Sequence, residues 1–127
     1  MARAEGAESA PALRGALDLA LYGMISSPLW QLYDVFGYEG MMVLIAQSPE
    51  LAGYAGGRLL SGAVQQIRML AALGVDAIWI EECLTDQISP ARFRSLNLPL
   101  LRGCVEEIRA CGMKSIYYYC GNPHDRL

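Results

Sequence analysis

The chain has 127 residues, a net charge of −3 and a hydrophobic fraction of 54%, which is high for a free-standing domain of this size. Its 10 basic residues are spread thinly, so binding to nucleic-acid phosphates is not expected. The longest strongly apolar run, residues 41–46, is far shorter than the ~20 residues of a membrane span. We therefore expect no membrane partner, and interpret the excess apolar surface as covered by the rest of a larger protein or by a partner.

The beginning of the chain alternates charged and small residues and lacks the apolar core of a signal peptide. Its four cysteines show no paired spacing, which is typical of reduced thiols in a cytoplasmic protein. Residues 1–12 are predicted to be a flexible N-terminus. Residues 13–127 are predicted to form one piece of a single domain.

The first predicted element is a strand over residues 17–25, because leucines alternate there. A helix is the alternative, since apolar residues of the same segment also fit one helical face. Ser27-Pro28 then predicts a helix start, with serine as the cap and proline in the first turn. This short amphipathic helix is expected to end at Gly37, and another is expected over residues 39–47. The aromatic residues of the first helix are predicted to pack in the core: Trp30, Tyr33 and Phe36.

The second half of the chain repeats one pattern, in which a helix ends at glycine and an apolar strand follows after two residues. A long helix that starts after Ser48 ends at Gly74, before a strand at 77–80. Two further start signals, Ser89-Pro90 and Asn97 with Pro99, predict a short helix and then a longer one that ends at Gly112, before a strand at 116–119.

The predicted order β–α–β–α–β favours a parallel sheet. No strand is followed by the glycine-rich turn that binds nucleotide phosphates in open sheets. A closed (β/α)8 barrel takes about 250 residues, so three units make roughly three-eighths of one. The predicted fold class is therefore α/β: a partial (β/α)8 TIM barrel with about three parallel strands and covering helices.

Several segments, taken in order, resemble the uroporphyrinogen decarboxylase superfamily, which includes cobalamin-dependent methyltransferases. These are residues 74–80, then Ile88-Ser89-Pro90 with Phe93 and Pro99, and then Tyr118-Tyr119-Cys120-Gly121-Asn122. The resemblance runs from about residue 17 to the end of the chain. It implies the middle third of a (β/α)8 enzyme that acts on a tetrapyrrole or on a methyl group carried by a corrinoid.

The adjacent acids at the end of the first repeated strand, Glu81 and Glu82, are the leading catalytic candidates. Successive strand residues point to opposite faces, so one is expected to face the barrel axis and the other the helix layer. A carboxylate in a partly dry mouth can act as a general acid or base, or bind a protonated substrate nitrogen. The alternative is a solvated loop or an ion pair with Arg92 or Arg94. Glu82 lies nearer the predicted mouth.

The second repeated strand ends at Cys120, a further catalytic candidate whose thiolate can contact a substrate or corrinoid. The alternative is a small apolar residue that closes the strand. Cys83 follows the neighbouring strand, so adjacency of the two strands would bring the two thiols together at the mouth, although two soft ligands do not complete a tetrahedral metal site. The methyltransferases of the family have a zinc-binding His-x-Cys-Gly segment here. This chain keeps Cys120-Gly121 but has Tyr118 in place of histidine, so a zinc site is not expected.

Three polar residues complete the predicted site as substrate-binding groups: Tyr33, Tyr118 and Asn122. For Tyr33, core packing beside Trp30 is the alternative. The sole histidine, His124, is interpreted as a loop residue, because no nucleophile is paired with it by any motif.

The resemblance and the acidic strand ends favour corrinoid-linked methyl transfer over tetrapyrrole decarboxylation, since a substrate with many carboxylates calls for basic residues. The expected partner is a tetrapyrrole or a corrinoid protein, and the isolated chain is not expected to be active. The alternative is a non-catalytic remnant or interaction module that pairs with another chain. Open parallel edges would also favour self-association.

Overall fold

A computed structural model describes residues 12, 14–16 and 18–126. The prediction for residues 1–12 lies outside the described residues, apart from Ala12. The elements in chain order are β1 (Tyr22–Ser26), α1 (Pro28–Gln47), α2 (Pro49–Ala72), β2 (Ala77–Glu82), a 3-10 turn (Thr85–Gln87), α3 (Pro90–Arg92), a π-helical turn (Phe93–Asn97), α4 (Leu98–Ala110) and β3 (Lys114–Tyr119). No described helix has both the length and the apolar character needed to cross a membrane.

The three strands form one parallel sheet in the order β1-β2-β3. Ser26 of β1 lies opposite Glu81 of β2, and Glu81 lies opposite Tyr118 of β3. All three carboxyl ends therefore meet at one edge of the sheet. Three parallel strands with helices between them are the arrangement of part of a (β/α)8 barrel, and the predicted fold class is confirmed.

The two faces of the sheet differ sharply in exposure. The face under the helices is buried, with Ile25 at 3% and Ile78 and Ile80 at 0% exposure. On the opposite face Tyr22 is 63% and Met24 is 67% exposed. We call this second surface the open face; in a barrel it is the side that faces the axis. The alternation of buried and exposed side chains follows from the two-residue period of a strand.

The repeated helix–glycine–strand pattern is confirmed at both places. Gly74 and Gly112 each have φ near 78°, a left-handed conformation that glycine adopts without steric penalty. The Gly74 N–H donates to Ala71 O and the Gly112 N–H donates to Arg109 O, both at 2.9 Å. Each glycine thereby ends a helix and redirects the chain into a strand.

The first strand is shorter than predicted, because it begins at Tyr22. Asp18 has a positive φ of 48°, which interrupts an extended backbone. The backbone of Leu21 is held by Asp76, whose N–H donates to Leu21 O at 2.7 Å while its Oδ2 accepts from Leu21 N at 2.8 Å. The leucine alternation before Tyr22 therefore belongs to a connection, and Leu17 itself lies outside the described residues.

The two short helices predicted between residues 28 and 47 meet at Gly37, which has φ 69° and ψ 172° and forms a kink within α1. The predicted cap at Ser27 is present, since its Oγ accepts from Trp30 N at 3.0 Å. The prediction that Phe36 packs in the core is wrong. Its side chain is 45% exposed and lines an apolar groove between α1 and α2, because the chain turns directly after it and no further helical turn covers the ring.

The two predicted helices after residue 88 are joined by the π-helical turn. Ser89 caps α3 as predicted, with its Oγ accepting from Arg92 N at 3.2 Å. Asn97 was expected to start the next helix, but it has helical φ and ψ and makes no cap hydrogen bond. The wide π turn instead directs Phe93 and Asn97 inward, and both are fully buried.

Candidate functional site

The candidate site lies on the open face at the carboxyl ends of β2 and β3, where parallel α/β folds place their chemistry. Glu81 is its central residue and is half-buried. The Trp79 indole N–H donates to Glu81 Oε2 at 2.7 Å, and the Cys83 thiol donates to Oε1 at 3.6 Å. The strand alternation places these three side chains on the same face, so their contacts follow directly from the sequence Trp-x-Glu-x-Cys.

Aromatic rings line the open face below the carboxylate. The rings of Trp79 and Tyr118 stack, with centroids 4.9 Å apart and an angle of 26° between their planes. The Tyr22 ring lies 6.2 Å from Trp79 on the other side. The three rings come from β1, β2 and β3 and form a continuous apolar surface, which offers stacking contacts to a flat ligand.

Two thiols complete this edge of the site. Cys83 and Cys120 follow the ends of β2 and β3, and their sulfur atoms are 3.2 Å apart. Burial and the hydrogen bond to Cys120 raise the pKa of the Cys83 thiol. The pKa of Tyr118 is also raised, chiefly by its hydrogen bond to Cys120. The structure thus brings together Glu81, Tyr118 and Cys120 of the predicted site.

Glu82 lies on the opposite face of β2, under the helices, with 0% exposure. Its Oε2 accepts from Asn97 Nδ2 at 3.2 Å, and its Oε1 lies 3.5 Å from Leu84 N. Burial raises the pKa of the Glu82 carboxyl, and hydrogen bonds from Ser27, Asn97 and the Leu84 backbone counteract part of that rise. The sequence offered two alternatives to a functional role for Glu82: a solvated loop, or an ion pair with an arginine. Glu82 lies in neither of these environments.

The polar cluster around Glu82 contains two side-chain atoms that are buried without a hydrogen-bond partner. These atoms are Asn97 Oδ1 and Tyr117 OH. Burial, followed by the nearby Glu82 charge, raises the pKa of Tyr117. The cluster is separated from the open face by the sheet itself, so Glu82 does not lie beside Glu81 in the site.

The remaining predicted site residues lie apart from Glu81. Tyr33 is on α1, partly buried against the core, with its ring 5.5 Å from that of Trp30. Asn122 is in the loop after β3, where its Oδ1 accepts from His124 N at 3.1 Å. His124 is exposed in the same loop. The substrate-binding roles of Tyr33 and Asn122 stay predictions.

Asp86 organises the loop after β3, a feature that the sequence reasoning missed. Its carboxylate accepts from Tyr119 OH at 2.7 Å and from Asn122 N at 3.0 Å, and lies 3.5 Å from Arg126 Nε. The Tyr119 and Asn122 hydrogen bonds, together with the Arg126 charge, lower the pKa of Asp86. Because the partners lie more than 30 residues away along the chain, no local pattern could have identified them.

Trp79 was also missed as a site residue, although a signal was present. It stands two positions before Glu81 in β2, so strand alternation places both on one face. The same reasoning identifies Tyr22, once β1 and β2 are paired. Where a strand ends in a candidate functional acid, the residues at every second position before it lie on the same face and are candidates for the same site.

The donor set does not fit a zinc ion. No group of three or more His, Cys, Asp or Glu residues among those that the structure describes is arranged to hold a metal. Cys83 and Cys120 supply two thiols, but Tyr118 stands where a histidine would be needed, and a neutral phenol is a weak ligand.

Comparison with curated proteins finds no match to this chain. Comparison with protein families finds one described as uroporphyrinogen decarboxylase (URO-D), which matches residues 6–127. That match covers nearly the whole chain, including all three strands and the Glu81 site. The chain belongs to the uroporphyrinogen decarboxylase family.

Proposed function

We propose that this chain contributes the open face of a uroporphyrinogen decarboxylase-family enzyme that transfers a methyl group from a corrinoid to a thiol. The observation that carries this proposal is the surrounding of Glu81. A single carboxylate lies at the edge of an aromatic surface, held by an indole N–H at 2.7 Å and adjacent to two thiols.

The charge at the site favours methyl transfer over tetrapyrrole decarboxylation. In the register of the three strand ends, Ser26, Glu81 and Tyr118 lie side by side, which gives one acidic group and no basic one. Lys114 is at the opposite end of β3. A porphyrinogen with many carboxylates is bound best by arginine and lysine side chains, which this edge does not offer. A corrinoid has amide side chains and needs no such cations.

The residues have separable parts in the proposed reaction, in which the corrinoid is the substrate and supplies an electrophilic methyl group. Trp79 and Tyr118 hold its flat ring by stacking. Glu81 accepts the proton of the incoming thiol, so that a thiolate attacks the methyl carbon. The sulfur–carbon bond forms as the bond between the methyl group and the corrinoid breaks, and the electron pair of that bond leaves with the corrinoid. Trp79 also orients the carboxylate through its N–H. Glu82 takes no part, because the sheet separates it from the open face.

Binding of methylcobalamin to the reduced chain tests the proposal, measured by calorimetry. Trp79→Leu is expected to weaken binding by about 2- to 10-fold, since one aromatic stacking contact is lost. Trp30→Leu is the matched control, because the second tryptophan lies on α1 beside Tyr33. Tighter binding of a polycarboxylate porphyrin than of methylcobalamin would instead favour decarboxylation.

Methyl transfer from methylcobalamin to a small alkyl thiol, followed as thioether by mass spectrometry, tests the role of Glu81. It is measured in the complete enzyme to which the chain contributes, because the isolated chain is not expected to be active. Glu81→Gln is expected to lower the rate by about 100-fold, the usual contribution of a general base. Glu106→Gln, the same change at an exposed position of α4, should leave the rate unaltered. Equal rates in both variants would contradict the assignment.

A second candidate function is that of a module that pairs with another chain, and the exposure of the open face favours it. Tyr22 and Met24 on β1 and Ile116 on β3 are apolar and at least 40% exposed. In the described residues β1 and β3 each have one strand neighbour, which leaves a free edge on each. Sedimentation velocity tests this candidate: a concentration-independent monomer would argue against it.

A further inference from the structure

The thiols of Cys83 and Cys120 are in direct contact. The Sγ–Sγ distance is 3.2 Å, and a disulfide bond needs about 2.05 Å. Small χ1 rotations of two half-buried side chains can supply that difference. Both residues point to the open face, because each stands two positions after a residue on that face.

The backbone geometry also suits a disulfide. Glu82 pairs with Tyr119 in the register of β2 and β3, and Cys120 N donates to Glu82 O at 3.2 Å. Cys83 and Cys120 are therefore the next opposed positions of two neighbouring strands. Neighbouring strands lie about 5 Å apart, within the Cα separation of about 4.4–6.8 Å found in disulfides.

The other two cysteines have different surroundings. Cys104 is fully buried in the core, and burial raises its pKa to about 11. Cys111 is half-buried, and its thiol contacts Glu107 at 3.7 Å. Neither makes a hydrogen bond to another thiol among the described residues. The close sulfur pair is thus specific to the ends of β2 and β3, and Cys111 offers a matched control of similar exposure.

We propose that Cys83 and Cys120 are a reversible redox pair, oxidised to an intramolecular disulfide by a low-molecular-weight disulfide such as oxidised glutathione. The inference depends on the sulfur geometry alone and holds whether or not the chain uses a corrinoid. Its consequence for the open face is direct. Oxidation removes the thiol that donates to Glu81 and ties together the loops that follow β2 and β3.

The exchange proceeds in two steps, with Cys120 attacking and Cys83 resolving. The Cys120 thiolate attacks one sulfur of the small disulfide, so a mixed disulfide forms and the first small thiolate leaves. Cys83 then gives its proton to the Glu81 carboxylate, 3.6 Å away, and attacks the Cys120 sulfur. The second small thiolate leaves and takes up that proton. Two cysteine thiols are oxidised, and one small disulfide is reduced to two thiols.

The assignment of the two roles follows from the surroundings of Cys83. Its Sγ lies 3.2 Å from Cys120 Sγ and 3.6 Å from Glu81 Oε1, and burial, followed by the contact with Cys120, raises the pKa of the Cys83 thiol. A thiol that keeps its proton is the weaker attacking group at neutral pH, so Cys83 is assigned the second step, in which the Glu81 carboxylate takes its proton.

The test is equilibration of the reduced chain in buffers of increasing oxidised-to-reduced glutathione ratio, followed by alkylation and peptide mapping by mass spectrometry. We expect a linked peptide pair containing Cys83 and Cys120, with Cys104 and Cys111 alkylated. In urea, where the two sulfurs are no longer held together, half-oxidation should need a ratio about tenfold higher or more. This comparison uses the wild-type chain only, so it does not depend on the folding of a variant.

Two variants separate the roles of the thiols. Cys83→Ser is expected to accumulate glutathione on Cys120, because the resolving thiol is missing, whereas Cys111→Ser should behave as the wild type. The proposal is overturned if Cys83 and Cys120 both stay alkylated at every ratio, if native and unfolded chains oxidise at the same ratio, or if non-reducing gels show the linkage between chains instead of within one.

Discussion

Replacing Glu82 with glutamine is expected to stabilise the protein at neutral pH, although it removes a buried carboxyl group that is hydrogen-bonded. Glu82 is 0% exposed, and burial raises its pKa above the ordinary value of 4.5. A group whose pKa is raised by folding stabilises the folded state while it is protonated. That contribution is complete below pH 4.5 and is lost as the pH rises through the folded-state pKa.

The magnitude follows from proton linkage. Between pH 4.5 and the raised pKa, the wild-type free energy of unfolding loses up to about 1.4 kcal/mol per pH unit through this one group. The glutamine side chain has nearly the same shape and stays neutral. Its amide oxygen can accept from Asn97 Nδ2, which lies 3.2 Å from Glu82 Oε2. The free energy of unfolding of Glu82→Gln minus that of the wild type should therefore increase as the pH rises, and level off above the folded-state pKa of Glu82.

Urea unfolding followed by circular dichroism, over a pH series from about 4 to 8, measures this difference. Glu106→Gln provides the matched control for losing one carboxylate at an exposed position of α4. Glu82→Ala should destabilise at every pH by about 1–3 kcal/mol, because it leaves the buried Asn97 amide without its acceptor. A stability difference for Glu82→Gln that is flat or falls with rising pH would refute the reasoning.

Three further substitutions test the packing that supports the site, each by the shift in urea midpoint. Phe93→Ala removes the largest fully buried side chain and should destabilise by about 3–5 kcal/mol; a loss below about 1 kcal/mol would show that the π turn is not packed as described. Gly121→Ala should cost about 1–3 kcal/mol, because φ is 140° and the added Cβ would clash with the Asp86 carboxylate. Gly57→Ala, inside α2 with no atom within 4 Å of the added Cβ, should instead stabilise by about 0.5–1 kcal/mol.

The parts of the fold that could be predicted are those encoded by local rules. Glycine at Gly74 and Gly112 ends a helix in any context where the chain must turn, and the apolar runs after them read as strands. Serine followed by proline marked the helix starts at Ser27 and Ser89. These signals are short in range, so the order of elements and the parallel sheet follow without knowledge of the tertiary contacts.

The errors arose where tertiary packing decided between local alternatives. Phe36 has a helical spacing suited to the core, but the kink after it leaves its ring exposed. Asn97 looks like a cap, yet its amide is drawn to the buried Glu82 carboxylate and the backbone continues through a π turn. A single sequence does not contain the distance between residues 82 and 97, and that distance determines the role of the asparagine.

The buried Glu82 helps to position the half-buried Glu81. Glu81 and Glu82 share a planar peptide unit, so fixing one side chain restricts the direction of the other. Glu82 is held by Asn97 from the helix layer, while the two backbone carbonyls are held from both sides: Ser27 N donates to Glu81 O at 3.0 Å and Cys120 N donates to Glu82 O at 3.2 Å. A functional carboxylate needs such support, because a catalytic group must keep its geometry without induced rearrangement. Under the proposed function, Glu81 is the group that acts on the open face and Glu82 is the group that anchors it. This division predicts that Glu82→Ala would lower any Glu81-dependent rate together with the stability, whereas Glu82→Gln would preserve the rate and raise the stability at neutral pH.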